Sequence, residues 1–509
     1  MVNSKKLLFA LFPFTYLLFL LFQKDLAMLG DLGRHLKIGE LVVKCHCVPQ
    51  TNLFSYTHPD FPIVNHEWLT EVIFYLTSSW FGLNGLLVLK MIVITTTASL
   101  LYSVAMKKGN MFWLTIFSLL SLTIFSTRFH VLPELFSYLF MALFIFLIDR
   151  YKSSKHIYLL WVLPVLELMW VNMHIYFVIG IGMYGLFFIE QLFKNKKFDK
   201  RLLLIGIVLV FSMFLNPGFI RGAFLPFTVF NNYGFNVEEN GSPFALFTPT
   251  STNANLAYTL VLQVVVFEIL IVLFAITLFL KKQWRGLFQT GTGLFAAALG
   301  LKFMRCISVF GILGFIPLVQ GFTLLEKKIK KHVDIYMANT VKGFIALSVG
   351  VIVLIHINGL FHYQILSFSF VPSTENAVAF IKQSGLKGPI FNNYRIGNYL
   401  IYGLYPEERI FVDARPEAYP ASFFNDYWRM MADEQFFNEE VKKYNINAVV
   451  FAVDDDPMKI RPFLIRLVQS KDWVPVYADG MVTIFVRDND VNKAIIEKYR
   501  IETSSSPTQ

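Results

Sequence analysis

Eleven long apolar runs constrain what this chain can fold into more than any other feature. They lie at 7–22, 85–106, 111–127, 132–149, 157–171, 175–193, 202–216, 257–280, 286–301, 306–325 and 343–359. A helix needs roughly 20 residues to cross about 30 Å of hydrocarbon, and shorter ones lean on interfacial side chains. A segment in lipid must satisfy its backbone hydrogen bonds internally, so the runs read as helices. Composition agrees: 16% of residues are charged, against about 25% in a soluble domain. A large soluble protein is excluded. The first run follows Lys5 and Lys6 and is not followed by a small-residue cleavage site, so it reads as a retained signal-anchor helix.

The basic residues set an orientation. With the N-terminus in the cytoplasm, the inner segments are the first residues and 107–110, 150–156, 194–201, 281–285 and 326–342; they hold twenty Lys and Arg, and the outer connections hold eight. Positive charge gathers on the cytoplasmic side, so the net charge of +10 reports topology and not a nucleic-acid partner. An odd number of spans then leaves the C-terminal segment outside. The expected fold is a multi-span α-helical membrane protein of about 11 helices with a C-terminal extracytoplasmic α/β domain. Residues 1–359 form the membrane domain, with a large first outer loop at 23–83, and residues 360–509 form the soluble domain. The protein is expected in the plasma (inner) membrane as a multi-pass protein. In the tail, strands are expected at Pro389–Phe391, Arg409–Val412, Ala448–Val453, Val474–Tyr477 and Met481–Val486. Helices are expected at 375–384, 395–404, 434–444, 457–469 and 490–500, with a frayed end at 501–509.

Ionisable groups near a bilayer are costly and mark function. In the expected topology most unusual ones fall on the outer side: Asp25, Asp31, Arg34, His35, His66 and Glu67 in the first loop, Arg128, His130 and Glu134 after the third span, Glu167, Asn172 and His174 after the fifth, Asn216 after the seventh, and Lys302 and Arg305 after the ninth. Glu268 and Lys90 are the charges placed well inside. This suggests a site at the outer surface and not a channel. Asp31 and His35 are four apart, on one face of a helix. A carboxylate beside an imidazole can share a proton or hold a metal; equally, Asp31 can cap the helix and His35 bond to it. In NHEWLTEVIFYL (65–76), Asn65 fits an N-cap and Trp68 an interfacial position. Cys45 and Cys47 are weak ligand evidence, and cysteines two apart rarely form good disulfides.

The combination Asp31-x-x-x-His35, Gly39-Glu40, Val48-Pro49 and NHEWLTE resembles the opening of bacterial proteins in the GT-C glycosyltransferase superfamily, grouped with lipopolysaccharide and protein O-mannosyl-type transferases. PELFSYLF (133–140), WVNMH (170–174), Asn216-Pro217 and NNYRIGNYLIYGLYP…RIFVDAR (392–415) also look like that group. The resemblance implies transfer of a sugar from a polyprenyl-phosphate donor to a glycan, lipid or protein acceptor at the outer face. It implies a catalytic acid in the first outer loop, matched by Asp31. Such relatives often carry a second acid where Leu29 sits, and an Arg-Pro pair where Arg128-Phe129 stands.

Inverting transfer needs a base for the acceptor hydroxyl and positive charge for the departing lipid phosphate. Asp31 with His35 is the candidate catalytic pair. Arg128, Lys302 and Arg305 are candidate phosphate ligands, although cations at helix ends also snorkel. His66, Glu67, His130, Glu134, Asn172, His174 and Asn216 are candidate substrate contacts. Asp31, His35 and Glu67 could hold a divalent cation, the candidate cofactor beside the lipid-phosphate co-substrate. Asp413 and Arg415 read as a structural pair. The alternative is a non-catalytic membrane protein, either a lipid-linked glycan flippase or transporter or a degenerate glycan-assembly partner, which the residue at Leu29 keeps open.

Overall fold

The computed structural model describes residues 4–195, 198–228, 240–244, 254–280, 286–329, 335–362, 366–371, 374–453, 455 and 457–502. The loop expected at 281–285 and most of the frayed end lie outside them, as do parts of the connections 194–201, 217–256 and 326–342. The chain divides into two compact units. One comprises Met1–Asp25, Phe81–Pro226 and Asn236–Ser369; the other comprises Leu26–Trp80, Phe227–Phe235 and Phe370–Gln509. Leu26–Trp80, expected as a loop of the membrane domain, thus clusters with the C-terminal segment.

The first unit is helical. Each of the eleven apolar runs lies mostly in helix, from Ser4–Leu21 to Ile335–His362. Among the described residues, five helices are long and apolar enough to cross a membrane, or up to six with the pair Met304–Leu313 and Phe315–Ile329 taken as one span bent by 51°. The five are Trp68–Met106, Met111–Arg128, Phe177–Lys194, Thr259–Leu278 and Tyr336–His362. Ala10–Leu21 and Tyr158–Val171 are shorter apolar helices. The helix Trp68–Met106 is broken at Gly82, whose φ of 68° and ψ of −177° suit a residue without Cβ.

Several buried polar side chains inside this unit bond to one another. Tyr16 Oη meets His356 Nδ1 at 2.6 Å and Thr123 Oγ1 at 3.0 Å, and Gln263 Nε2 lies 3.2 Å from both His356 Nε2 and Ser126 Oγ. Lys90 Nζ donates to Asp25 Oδ2 at 2.8 Å, and both side chains are buried. The Val131 N–H donates to the same carboxylate at 3.0 Å. Lys90, expected as a charge well inside the helices, is therefore neutralised there.

The second unit carries a four-stranded sheet: β1 (Ile390–Asn392), β2 (Ala448–Ala452), β3 (Trp473–Ala478) and β4 (Val482–Arg487), in the order β1-β2-β4-β3. β1 runs parallel to β2, and β4 pairs antiparallel with both β2 and β3. Every residue of β1 and β2 is buried, which suits strands covered on both faces. One covering layer is aromatic: Phe391, Phe411, Tyr427, Phe437, Phe451 and Phe463 pack in one core with the helices Ala421–Ala432, Glu434–Tyr444 and Pro457–Gln469.

Two expectations are corrected here. Arg409–Val412 is not a strand. Ile410 alone bridges Ser55 and Ile390, exchanging hydrogen bonds with Phe54 and Tyr56, while the Asn392 side chain bonds Phe411 and Val412, so single bridges and side-chain bonds satisfy the run and no strand ladder forms. Cys45 and Cys47 are joined in a disulfide. Left-handed His46 between them (φ 56°) turns the chain so that the Cα atoms lie 5.2 Å apart, within the usual bridging range. The helix Ala421–Ala432 was not expected from the sequence.

Removing Lys90 leaves a buried carboxylate without its counter-charge, which costs about 3–5 kcal/mol. Lys90→Met is expected to lower the thermal unfolding midpoint of the detergent-solubilised chain markedly. Adding Asp25→Asn should recover much of the loss, because the amide oxygen still accepts from Val131.

Candidate functional site

A dense set of ionisable side chains in the second unit is built by three short segments. The first is the helix Leu32–Cys45, which Asp31 precedes as N-cap residue without a side-chain capping bond. The second is Asn65–Glu71, where Asn65 Oδ1 accepts from the Glu67 N–H at 3.0 Å and so starts the helix beginning at Trp68. Asn65 was expected as the N-cap, whereas the helix begins at Trp68 and Asn65 makes a turn just ahead of it. The third is the stretch after β1 together with 413–417. The first two approach through Gly39: a Cβ there would overlap the carbonyl oxygen of Glu71. Only glycine lets the helix backbones come this close, and the contact sets His35, one turn earlier, against Glu71.

His35 is buried, and its Nδ1 lies 3.0 Å from Glu71 Oε1 and 3.9 Å from Glu67 Oε2. Its Nε2 lies 3.4 Å from an Arg34 guanidinium nitrogen. Glu71 is fully buried, and its second oxygen accepts from Asn65 Nδ2 at 2.6 Å. Arg34 is 3.7 Å from both Asp31 Oδ1 and Glu71 Oε1. Asp31 Oδ1 accepts from Asn398 Nδ2 at 2.7 Å, and Asn398 Oδ1 in turn accepts from the Ala414 N–H at 3.3 Å. The Asp31 side chain is 41% exposed, against 16% for Glu67 and none for Glu71. Asp31 and His35 share a helix end as expected, yet Asp31 bonds to Asn398 and His35 to Glu71, with Arg34 reaching both.

A small recess beside them is lined by Arg34, Asn65, His66, Glu67, Arg415 and Glu417, with apolar walls from Ile38, Phe54 and Ile63. His66 Nε2 is 3.6 Å from Glu67. Arg415 is held by two bonds to Asp413, at 2.8 and 2.7 Å, and a third to Asn52 Oδ1 at 2.7 Å. Asp413 and Arg415 are thus the buried structural pair expected from the sequence.

Burial dominates the electrostatics. It pushes the His35 imidazole down to about 4, helped by the Arg34 charge. It also lowers His66 and raises the carboxyls of Glu67 and Glu417. Ligand atoms of His35, Glu67 and Glu71 all lie within 4.8 Å of one another, so these three could hold a metal ion. Of the expected metal candidates the structure gathers His35 and Glu67, whereas Asp31 stands outside the group. Glu71, Asn398 and Glu417 were missed. Glu71 ends the quoted NHEWLTE motif and sits four residues beyond Glu67, a spacing that could have flagged it.

The other expected residues lie in the first unit. Arg128 forms an ion pair with Glu134. Both, with Arg305, act electrostatically on the same buried Cys306 thiol, so Arg128, Glu134 and Arg305 share one neighbourhood. Arg305 also donates to Asn240 Oδ1 at 3.2 Å. Lys302 is exposed and lies over the Phe303 ring. His130 stands 3.7 Å from Asp25. His174 bonds Ser137 at 2.9 Å, Asn172 donates to the carbonyls of Leu168 and Leu215, and Asn216 closes its own turn through Met213, Gly218 and Phe219.

No family model matches the sequence, nor does any curated protein. The structure is similar to solved ones. One is the archaeal oligosaccharyltransferase AglB from Archaeoglobus fulgidus, in complex with an inhibitory peptide and a dolichol-phosphate: identity is 9%, the TM-score is 0.63, and the match covers 94% of this chain and 74% of that one. Another is ArnT from Cupriavidus metallidurans bound to undecaprenyl phosphate: identity is 10%, the TM-score is 0.53, and the match covers 95% of this chain and 98% of that one. At such identities the likeness shows the fold alone, which this chain shares with both proteins.

Gly39→Val is expected to push the two helix ends apart, costing about 1–3 kcal/mol. The measurement is the unfolding midpoint together with the nitrogen chemical shifts of a labelled His35, which should lose the signature of a buried, hydrogen-bonded ring.

Proposed function

We propose that the protein transfers a sugar from a polyprenyl-phosphate donor to an envelope acceptor at the outer face of the plasma membrane. The observation that carries the reading is Asp31. It is the most exposed of the carboxylates Asp31, Glu67, Glu71 and Asp413, and Asn398 and Arg34 hold it from one side. Asp31 takes the proton of an acceptor hydroxyl. The acceptor oxygen then bonds to the anomeric carbon, and the lipid phosphate leaves with the electron pair of the broken C–O bond. His35 lies inside and acts as a positioning residue. It holds Glu71 and Arg34, and Arg34 in turn steadies Asp31. His66, Glu67, Arg415 and Glu417 line a small polar recess beside it.

The lipid phosphate is assigned to the first unit's own cation cluster, Arg128 and Arg305, whose charge offsets that of the departing phosphate. Lys302 is a peripheral contribution at most. His130, Glu134, Asn172, His174 and Asn216 serve this reading by shaping their helix ends, since each is engaged by side-chain or backbone groups of its own unit. The fold likeness to proteins solved with dolichol-phosphate and undecaprenyl phosphate supports the donor class. The basic inner loops support a cytoplasmic N-terminus and an extracytoplasmic C-terminal domain.

Asp31→Asn is isosteric and keeps an oxygen for Asn398. It should reduce transfer by about two to four orders of magnitude, the usual size of a base's contribution, while leaving folding and lipid-donor binding intact. The check is mass spectrometry of envelope glycans from cells carrying either form. A non-catalytic glycan-handling protein would show no difference between them. A reporter fused after Gln509 is expected to be accessible from outside intact spheroplasts; cytosolic placement would overturn the outer-face reading.

A further inference from the structure

We infer that Cys45 and Cys47 form a thiol–disulfide exchange site: a thiol from outside the chain opens their bridge, and the opening releases the C-terminal end of the helix Leu32–Cys45. Both cysteines are exposed, whereas Cys306 is buried. Exchange needs a sulfur that an incoming thiolate can reach. Cys45 and Cys47 meet that condition and Cys306 does not.

The bridge does little to hold the fold. A disulfide stabilises mainly by restricting the unfolded chain, and the gain grows with the length of chain it closes. Cys45 and Cys47 are two positions apart, close to the shortest loop a bridge can close. The chain on either side is held by other means. At Gly33 and Gly39 the helix packs closely on the backbones of Asn398 and Glu71. Beyond the bridge, the Asn52 N–H donates to the Phe61 carbonyl at 3.0 Å, and the Ile63 N–H donates to the Gln50 carbonyl at 2.9 Å. Opening the bridge therefore leaves both neighbours in place.

What the bridge fixes is the turn between them. It holds His46 in the left-handed region, at φ 56°, which residues other than glycine adopt uncommonly. The His46 N–H caps the helix on the Val42 carbonyl at 3.0 Å. With the bridge open, His46 is free to leave that conformation, and the cap goes with it. Pro49 follows in the same turn and is a wall of the recess that Arg34, His66 and Glu67 line. The released segment thus ends at the candidate site.

The exchange runs as a two-electron step. An incoming thiolate attacks Cys47 Sγ and forms a mixed disulfide. The Cys45–Cys47 bond breaks, and its electron pair passes to Cys45 Sγ. That sulfur accepts from the Cys47 N–H at 3.2 Å, a bond that favours the departing thiolate. It then takes up the proton that the incoming thiol lost. A second external thiol attacks the external sulfur of the mixed disulfide and frees Cys47 as a thiol. Two external thiols are oxidised to one disulfide, and the bridge is reduced to two thiols.

The full chain, purified in detergent without reductant, is equilibrated in glutathione buffers of graded reduced-to-oxidised ratio, and in parallel with reduced thioredoxin as a Cys-x-x-Cys probe. Free thiols are alkylated and located by peptide mass spectrometry. Cys45 and Cys47 are expected to pass together from bridged to alkylated as reduced glutathione rises, and to return when the ratio is reversed, with Cys306 unlabelled. Reduction by thioredoxin alone also supports the site and assigns the thiol to a protein dithiol. A bridge that resists both reductants, or two thiols that no ratio oxidises, overturns the inference. Hydrogen exchange of the two forms reads the release. Protection across 42–49 should fall several-fold on reduction while that across 50–63 stays; no change in 42–49 overturns it. These readouts concern two cysteines and one turn, so they stand or fall apart from the transferase reading.

Discussion

A charge taken out of water persists only beside its opposite, and this requirement shapes both units. In the first, Asp25 is tied by Lys90 and by a backbone N–H. In the second, Arg415 and Asp413 form a two-bond pair, closed by Asn52 and Tyr419. These groups are spent on holding chain segments that lie far apart in sequence, such as 52 and 415. Against them the cluster around His35 stands out, because its acids outnumber its guanidinium and its bonds to that guanidinium are long. Structural ion pairs close their geometry; a site has to leave some of it open.

The openness rests on packing. The glycine at position 39 allows one helix backbone to meet another at Glu71, and the side chains one turn away are brought within bonding distance as a consequence. His35 is held from two sides. The neighbouring Asp31, at the helix start, is only partly covered, since its one strong bond is to Asn398. A buried, fixed set of groups next to an exposed carboxylate is the arrangement that the sugar-transfer proposal uses.

The helical runs were readable because apolar length and loop charge are local properties of a chain. The tail strands were readable for a similar reason, with Ile390–Asn392, Ala448–Ala452, Trp473–Ala478 and Val482–Arg487 all close to their expected places. Arg409–Val412 failed as a strand because an apolar run does not announce what will satisfy its backbone, and here Phe54 and Tyr56 do so in part from more than 350 positions earlier. The Cys45–Cys47 bridge depended on the conformation of a single intervening residue, His46, which spacing alone does not set.

The site divides along the same line. That His35 and Glu67 are candidate site residues followed from residue type and motif, properties of the sequence itself. Their partners did not follow: that His35 meets Glu71 and not Asp31, that Asp31 is held by Asn398, and that Arg128, Glu134 and Arg305 converge while Lys302 stays exposed. The sequence by itself determined the helical character and the apolar spans and supplied the candidate side chains, because those depend on composition and periodicity over a few turns. Tertiary structure alone decided which of those side chains touch, because pairing between residues tens to hundreds of positions apart is set by how closely backbones can pack and by where buried charge finds its counterpart.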